Sequence, residues 1–316
     1  MKHVSETELT HTIDALIKQE QLPLSYVETV RKTILPLADH ILECRARLGR
    51  PVIIGIHGAQ GTGKSTLTLF LRDILSRHRH CPTASFSLDD LYLTRAERQS
   101  LAHTVHPLFQ TRGVPGTHDV ALGLQVIDRL VHAGHGDHTA IPVFDKAMDD
   151  RVPRSHWPVF HGPAEVVLFE GWCVGARPER DGAALQAPVN RLEAEEDPGG
   201  HWRRYVNDCL DASYRALFDQ LDSLVMLKAP AMASVLEWRR LQEHKLAERQ
   251  KNAPEQGEGG AGAHPLRIMS DAEVARFIQH YERVTRTCLA EMPGRANVLI
   301  EVAEDHTLGL PRFRTP

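Results

Sequence analysis

Residues 58–65, GAQGTGKS, combine glycines, a lysine and a hydroxyl group at the spacing of a phosphate-binding loop, G-x-x-x-x-G-K-[ST]. Glycines let such a loop turn tightly, so that successive backbone N–H groups point at one anion. Lys64 is then expected to reach the β- and γ-phosphates of a nucleoside triphosphate, and the Ser65 hydroxyl to hold Mg²⁺. The residues predicted to bind ATP are Gly58, Ala59, Gln60, Gly61, Thr62, Gly63, Lys64, Ser65 and Thr66.

The sequence on either side of this loop supports the prediction. Residues 51–57 form a short β-branched apolar run, which is typical of a buried parallel strand. Residues 65–75 carry apolar side chains at helical spacing, and the start of that helix adds the positive end of its dipole. A strand, a glycine loop and a helix in this order favour a nucleotide site over the alternative, a chance glycine turn.

Three carboxylates come directly after predicted strands. Asp89 and Asp90 follow residues 83–88, and Glu170 follows the apolar run 166–169. Asp89 is predicted to accept the proton of a substrate hydroxyl, with helix capping as the alternative. Asp90 is predicted to be a Mg²⁺ or substrate ligand. Glu170 ends its strand as a Walker B acid does and is predicted to face the metal, whereas the alternative is an ordinary strand-end carboxylate.

Composition limits the possible partners and compartment. A formal net charge of −4 gives no reason to expect nucleic acid or an anionic membrane as a partner. Five scattered cysteines without a C-x-x-C pair predict reduced thiols, and the absence of a signal core or spanning stretch also predicts the cytoplasm. His132, His135 and His138 have metal-like spacing, but their Gly-rich polar setting favours a solvated turn. The sequence leaves the oligomeric state open.

The fold class follows from strands that alternate with helices. Such alternation predicts an α/β fold with a doubly wound, mostly parallel five-stranded sheet and ligands at the strand C-termini. The five predicted strands are residues 51–57, 83–88, 166–169, 223–228 and 297–302.

The remaining segments are predicted to surround this sheet. Residues 1–49 should form a helical segment packed on the core, with a capping box at residues 5–8, and residues 50–316 the catalytic domain. Within that domain we expect a substrate-side insertion at about 91–141, which contains a helix at 120–132. Further along the chain we expect a loop or flexible insertion at 176–204 and a helix at 202–221. A helix at 234–250 and the glycine-rich linker 257–262 belong to a helical lid at about 231–265, and a second capping box at 270–273 opens the next helix.

Several motifs carry a more specific resemblance. SLDDLY at residues 87–92 resembles the S-x-D-D-F-Y element of phosphoribulokinases, uridine kinases and pantothenate kinases. The motif set from about residue 50 onward is similar to that of the D-glycerate 3-kinase family of plants, fungi and bacteria. The motifs that carry this likeness are RGVPGTHD (112–119), PVFDK (142–146) with Asp150 and Arg151, FEGW (169–172), EWRRLQEHK (237–245) and MSDAE (269–273).

This resemblance implies a P-loop kinase that moves the γ-phosphoryl group of ATP to the 3-hydroxyl of D-glycerate, with Mg²⁺. Asp89 matches the catalytic aspartate of the uridine and pantothenate kinases, and Glu170 matches the acid that closes the metal-facing strand. Leu91 replaces the phenylalanine that is usual in the group. The doublet of Asp89 and Asp90 leaves the division of labour between the two acids open.

Glycerate is a small anion, so its carboxylate should meet arginine or lysine. Arg112, Lys146 and Arg151 are the candidates, while His118 and Asp119 could hydrogen-bond hydroxyl groups. The alternative for each is a loop-anchoring ion pair, for example with Asp145 or Asp150. The full set predicted to bind the acceptor is Asp89, Asp90, Tyr92, Arg112, His118, Asp119, Lys146 and Arg151.

Arg239 and Arg240 lie on the predicted helix after the fourth strand, where a lid would sit. A cation that closes over the γ-phosphate would neutralise charge in the transition state, and closure would exclude water. A solvated helix face is the alternative. Trp172, Trp202 and Trp238 are predicted to pack in the core rather than to stack on adenine.

Two other functions stay open at this stage. One is a kinase of the same fold that acts on pantothenate, a nucleoside or a phosphosugar. The other, from a different class, is a nucleotide-switched regulatory ATPase without a small acceptor.

Overall fold

A computed structural model describes residues 6–252 and 268–314, and a six-stranded sheet is the centre of these residues. Two short hairpins lie outside that sheet. In chain order the strands are β1 (Val52–Gly58), β2 (Thr83–Ser87), β3 (His138–Ala140), β4 (Phe144–Asp145), β5 (Asp150–Arg151), β6 (Val159–His161), β7 (Val166–Gly171), β8 (Ser223–Lys228), β9 (Val298–Glu301) and β10 (Arg312–Phe313).

The order of strands in the sheet is β10-β9-β8-β1-β7-β2. The five predicted strands are parallel to one another, with β1 at the centre, so the doubly wound prediction is confirmed. The predicted number of strands was too small, because β10 adds an antiparallel edge to β9. Two residues are too short a run to give a periodic signal in the sequence.

Alternation along the strands divides the core into two layers. On one face of β1, Val52, Ile54 and Ile56 pack among the N-terminal helices and the helix after the phosphate-binding loop. Ile53 points to the opposite face and belongs to a second cluster. Both faces of the sheet are therefore covered, which explains why its strands are apolar throughout rather than alternating.

Helices form both covering layers. Two π-helical segments, Val30–Ile34 and Ile74–His78, extend neighbouring α-helices, and short 3₁₀ turns follow β2 and several loops. The α-helices are α1 (Glu6–Gln19), α2 (Tyr26–Thr29), α3 (Leu35–Leu48), α4 (Lys64–Asp73), α5 (Arg95–Thr104), α6 (Val120–His132), α7 (Gly182–Gln186), α8 (Arg191–Glu196), α9 (His201–Asp211), α10 (Ser213–Phe218), α11 (Met232–Asn252) and α12 (Asp271–Glu291).

Most helix predictions are confirmed with small changes of boundary. The helix at 120–132 is α6, and α11 extends the predicted 234–250 by two residues at each end. The capping box at Ser270 and Glu273 is present and opens α12. The helix predicted at 202–221 divides at Ala212 into α9 and α10, because the backbone there leaves helical geometry.

The N-terminal segment packs on the sheet as expected. α2, a π-helical stretch and α3 form one continuous helical run over Tyr26–Leu48. Ile17, Ile34 and Ile41 are fully or almost fully buried against the sheet layer that holds β1. How the chain divides into domains stays a prediction.

The prediction of a loop or flexible insertion at 176–204 was wrong. Asp181 and Asn190 cap the short helices α7 and α8, each accepting a backbone N–H group. The Glu193 carboxylate, which is completely buried, accepts from the Arg283 guanidinium on α12 at 2.6 Å. This buried pair fixes the segment on the core. The Pro, Gly and Glu content suggested a loop because it gives no sign of that long-range partner.

The chain between β2 and β7 is longer and more structured than the insertion predicted at about 91–141. Its helix α6 joins the core, and its two hairpins pair β3 with β6 and β4 with β5. The β4–β5 hairpin, residues 144–151, bears Lys146 in its turn. The part of this region that reaches the cavity beside the phosphate-binding loop therefore extends beyond residue 141, to Lys146.

Some predictions fall outside the residues that the structure describes. The linker 257–262 and the first residue of the N-terminal capping box, Ser5, are among them. Across the described residues, no helix has both the length and the apolar character needed to cross a bilayer. Location in the cytoplasm stays a prediction.

Candidate active site

A cavity of about 370 Å³ lies at the C-terminal ends of β1, β2 and β7. This is where the crevice of a doubly wound sheet is expected. It gathers most of the predicted site residues from six separate parts of the chain. The predicted residues that line it are Gln60, Gly61, Lys64, Ser65, Asp89, Asp90, Tyr92, Arg112, Lys146, Glu170 and Arg239.

The phosphate-binding loop has the backbone that its glycines predict. Gly61 and Gly63 have φ values of 83° and 84°, in the left-handed region that favours glycine, and α4 starts at Lys64. A Cβ atom at Gly61 would stand 2.6 Å from the Cβ of Trp238 on α11. Glycine there thus allows α11, the helix predicted to belong to the lid, to pack directly on the loop.

Ser65 and Glu170 meet at the bottom of the cavity. The Ser65 hydroxyl donates to Glu170 Oε1 at 2.8 Å, across the junction of α4 with β7. The other carboxylate oxygen, Oε2, is buried and has no hydrogen-bond partner among the described residues. A buried carboxylate oxygen without a partner beside a phosphate-binding loop fits a Mg²⁺ ligand.

The described residues contain no group of three or more His, Cys, Asp or Glu side chains able to hold a metal. Mg²⁺ in kinases takes one or two protein ligands and completes its shell with phosphates and water. The Ser65 hydroxyl and the Glu170 carboxylate are oxygen donors of the kind that would hold it.

Asp89 is held ionised by two neighbours. Its Oδ1 accepts from the Tyr92 hydroxyl at 2.8 Å, and its Oδ2 accepts from Lys146 Nζ at 2.7 Å. Burial alone would raise the pKa of Asp89, but the positive charges of Lys146 and Lys64 and these two hydrogen bonds outweigh it, and the pKa lies well below its usual range. The carboxylate thus faces the phosphate-binding loop as an anion at neutral pH.

Asp90 has a different role from its neighbour. Its Oδ2 accepts from the backbone N–H of Ser87 at 3.2 Å, which completes a capping box for the 3₁₀ turn Leu88–Leu91, and its Oδ1 accepts a longer bond from Phe144 N. Both oxygens of Asp90 thus accept backbone N–H groups, while the residue also lines the cavity, and its role as a metal or substrate ligand stays a prediction. Ser87 is the N-cap of this turn, and Asp90 is the third-position acid of its capping box. Burial raises the pKa of Asp90 to about 6.

Arg112 and Lys146 both reach the cavity, and the same hairpin positions them. Arg112 pairs with Asp149, and its guanidinium lies 5.6 Å from the centre of the Phe144 ring. Arg98, which is only 2% exposed, donates to the backbone carbonyl of Asp149 at 2.7 Å and so anchors the hairpin from below. Lys146 extends from the turn of this hairpin towards Asp89.

His118, Asp119 and Arg151 do not line the cavity but form a layer behind it. The His118 ring stacks on Tyr92 at 4.6 Å, and burial lowers the pKa of His118 to about 3. Arg151 donates to the backbone carbonyl of Tyr92 at 2.9 Å and pairs with Asp119, which caps α6. This layer holds Tyr92, and through it Asp89, in place.

The two lid arginines separate. Arg239 lines the cavity, pairs with the buried Glu243 and lies 5.6 Å from the centre of the Phe277 ring. Arg240 does not line the cavity; it pairs with Glu237 at 2.6 Å. The structure thus places one of the two predicted arginines at the phosphate-binding loop and turns the other away.

Five lining residues were not among the predictions. Trp172 had been assigned to packing, and its indole does donate to the carbonyl of Gly113 at 2.8 Å while its ring borders the cavity. The Tyr281 hydroxyl donates to the carbonyl of Arg112 at 3.1 Å. Nothing local in the sequence marks Tyr281, because its position depends on how α12 crosses the sheet. The five residues are Ser87, Trp172, Gln242, Phe277 and Tyr281.

A second cavity, of about 530 Å³, lies on the other side of the phosphate-binding loop. Four segments enclose it: the turn from Glu20 to Tyr26, residues 61–66, the middle of α11 at residues 238–245, and the loop 305–308. It shares Gly61, Lys64, Ser65 and, from α11, Gln242 with the first cavity. The loop is therefore a wall between two compartments.

The chain is similar to several known kinases. Over 240 residues it is 37% identical to an uncharacterized kinase of Schizosaccharomyces pombe, a match that covers 74% of this chain and 79% of that protein. It is 33% identical over 256 residues to the chloroplastic D-glycerate 3-kinase of Arabidopsis thaliana, covering 77% of this chain and half of the plant protein. The D-glycerate 3-kinase of Cryptococcus neoformans has a similar structure, with a TM-score of 0.70 and 25% identity over 89% of this chain and 99% of the other. No protein-family model matches the sequence.

Proposed function

Because the chain belongs to the D-glycerate 3-kinase family of P-loop kinases, we propose that its acceptor is D-glycerate and that 3-phosphoglycerate and ADP are its products. The enzyme class, a phosphotransferase with an alcohol acceptor, follows from the kinases to which the chain is similar.

The observation that carries the proposal is the Asp89–Lys146 pair. Its carboxylate oxygen and ammonium nitrogen are 2.7 Å apart, inside a cavity that also holds Lys64, Arg112 and Arg239. A molecule with a hydroxyl and a carboxylate a few ångströms apart can exchange partners with this pair. Its carboxylate replaces Asp89 at Lys146, and its hydroxyl donates to Asp89. Glycerate is a small molecule of that kind.

The proposed reaction uses these residues in distinct roles. The 3-hydroxyl donates to Asp89, its oxygen forms a bond to the γ-phosphorus, and the bond between that phosphorus and the β,γ-bridging oxygen breaks. The hydroxyl proton passes to the Asp89 carboxylate, and ADP leaves with the bridging oxygen. Lys64 and Arg239 neutralise the charge that develops on the transferred group.

Mg²⁺, when bound at Ser65 and Glu170, supplies charge neutralisation for the phosphates. Glu170 is suited to this role because its Oε2 is buried without a described partner. The ring of Trp172 and the side chains of Phe277 and Tyr281 border the same cavity and reduce access of water to it.

The test is ADP release with Mg²⁺-ATP across D-glycerate, L-glycerate, pantothenate, uridine and ribulose 5-phosphate. We expect a response to D-glycerate, with 3-phosphoglycerate as the product. A response confined to pantothenate, uridine or ribulose 5-phosphate would keep the kinase and reject its acceptor. Steady ADP release that no acceptor changes would favour the regulatory ATPase instead.

A further inference from the structure

We propose that the turn Glu20–Tyr26, between α1 and α2, is one wall of the site for the nucleoside of ATP, so that the N-terminal helical segment takes part in nucleotide binding. The inference rests on the proposed function for one point alone, that a nucleoside triphosphate occupies the phosphate-binding loop. It gives a ligand-binding role to a segment for which the sequence predicts only packing.

The two cavities divide the substrates between them. The cavity with Asp89 lies on one side of the loop and must leave room for the acceptor next to the γ-phosphate. The second cavity touches residues 61–66 from the other side. A nucleotide whose phosphates are held by this loop therefore has its ribose and base in the second cavity, and a volume of about 530 Å³ is within the usual range for a small-molecule site.

One wall of the second cavity is aromatic and well supported. Trp238 is 4% exposed, its indole donates to the carbonyl of Glu304 at 2.8 Å, and its ring lies 4.8 Å from that of His306. His306 Nδ1 in turn lies 2.9 Å from the carbonyl oxygen of Gly61, which joins this wall to the phosphate-binding loop. The prediction that Trp238 packs holds, yet the packed ring also borders the cavity.

The opposite wall is the turn of the N-terminal segment. Leu22 and Pro23 give it an apolar surface, and the Tyr26 ring lies 5.4 Å from that of Phe70 on α4. Burial, with a smaller effect from Glu20, raises the pKa of Tyr26 to about 12, so its hydroxyl keeps its proton and can donate. The cavity thus combines apolar and aromatic side chains with polar and charged ones, among them Gln242 and Lys245, and such a mixed lining can take the base and the ribose of a nucleoside.

Hydrogen bonds within the protein hold the turn in this position. The backbone N–H of Leu22 donates to the carbonyl of Ile17 at 2.9 Å, which closes the end of α1. In the π-helical stretch, the Thr33 hydroxyl donates to the carbonyl of Gly309 at 3.0 Å and ties the segment to the loop after β9. Because both walls are fixed by the same core, binding does not have to order the turn first.

The experiment blocks the second cavity and leaves the phosphate-binding loop intact. Pro23 is exposed and lines the cavity, so Pro23→Trp should fill it. The neighbouring residue Leu24 is 85% exposed and does not line the cavity, so Leu24→Trp is the matched control. Binding of ATP and of inorganic tripolyphosphate, each with Mg²⁺, is measured by calorimetry. Tripolyphosphate has the phosphates of ATP but no nucleoside.

We expect Pro23→Trp to weaken ATP binding about tenfold or more while tripolyphosphate binding stays within about twofold of wild type, and Leu24→Trp to change neither. Equal loss of both ligands, or unchanged ATP binding, would overturn the inference. If the wild type binds neither ligand, the phosphate-binding loop is wrongly assigned and the inference fails with it. If the wild type binds both ligands but phosphorylates no hydroxy acid, only the proposed acceptor is contradicted.

A measurement on the wild type covers the case in which Pro23→Trp does not fold. ATP should slow hydrogen exchange of the backbone amides in residues 20–26, because the nucleoside covers that turn. Tripolyphosphate should leave those amides unchanged while it slows exchange in residues 58–65. Equal effects of the two ligands on residues 20–26 would contradict the proposed wall.

Discussion

Lys146→Met tests whether Lys146 recognises the carboxylate of the acceptor. Methionine keeps most of the length of the side chain and removes its charge. In the structure the Lys146 ammonium group is 2.7 Å from Asp89 Oδ2, and 60% of the side chain is exposed. The proposed acceptor replaces Asp89 as the partner of this ammonium group, so the variant removes an interaction with the substrate and also one with the catalytic acid.

The size of each effect follows from this geometry. With so exposed a lysine, the dielectric constant of water is the suitable limit, and two unit charges 2.7 Å apart then attract by about 1.5 kcal/mol. Asp89 should stay ionised in the variant, because Lys64 also lowers its pKa. A hydrogen bond to a charged group is worth about 1.5–3 kcal/mol. Loss of the contact with the acceptor carboxylate should therefore lower kcat/KM for D-glycerate roughly 10- to 150-fold.

The assay compares D-glycerate with glycerol, which has hydroxyl groups but no carboxylate. Steady-state ADP release gives kcat/KM for each acceptor in the wild type and in Lys146→Met. We expect the ratio of kcat/KM for D-glycerate to that for glycerol to fall by the factor given above, because glycerol has no carboxylate to contact Lys146. Lys32→Met is the matched control, because Lys32 is also an exposed lysine in an ion pair, with Glu28, and does not line the cavity.

An equal fall for both acceptors would refute the reasoning. It would mean that Lys146 acts through Asp89, by holding the carboxylate in place, and that the acceptor carboxylate binds elsewhere. Arg112, which lines the same cavity and pairs with Asp149 of the hairpin, would then be the candidate to bind the acceptor carboxylate.

Four further predictions concern the other groups of the site. Asp89→Asn should lower kcat by roughly 10²–10⁴ and leave ATP affinity within a few-fold, as measured by steady-state kinetics and calorimetry. Glu170→Gln should raise the Mg²⁺ concentration needed for half-maximal activity about tenfold or more, as measured by Mg²⁺ titration at fixed ATP. Arg239→Ala should lower kcat by about 10² or more and Arg240→Ala by much less; similar effects of the two changes would contradict the lid assignment. Burial raises the pKa of Asp90 to about 6, so the folded protein binds this proton more tightly than the unfolded chain does. As pH rises from 4 to 7, ionisation of Asp90 should therefore lower the free energy of unfolding of the wild type by up to about 3 kcal/mol. Asp90→Asn should lack this contribution, and urea unfolding of both proteins at the two pH values measures the difference.

Local features of the site were predictable from the sequence. The phosphate-binding loop is contiguous, and its glycines, lysine and serine each need a particular backbone or charge, so residues 58–65 could be interpreted directly. Glu170 was found because it ends an apolar strand. The parallel sheet was predictable for the same reason, since strands covered on both faces appear as unbroken apolar runs.

Features that depend on distant partners were not predictable. Arg239 and Arg240 are adjacent on one helix, and only the crossing of α12, with Phe277 beneath Arg239, decides which one reaches the cavity. Tyr281 depends on the same crossing. The composition of segment 176–204 predicts a loop, because the buried partner of Glu193, Arg283, follows 90 residues later in the chain and leaves no local signal.

The two adjacent aspartates illustrate how environment assigns roles that residue type cannot. Asp89 lies between two lysines and a phenol, which hold its pKa low. Asp90 accepts backbone N–H groups at the start of a 3₁₀ turn, and burial raises its pKa to about 6. A carboxylate with so low a pKa is a weak base before the reaction begins. It can still fix the direction of a hydroxyl group, and it receives the proton only once the new bond to phosphorus makes that proton acidic. This order suits phosphoryl transfer through a loose transition state, in which positioning contributes more than early deprotonation.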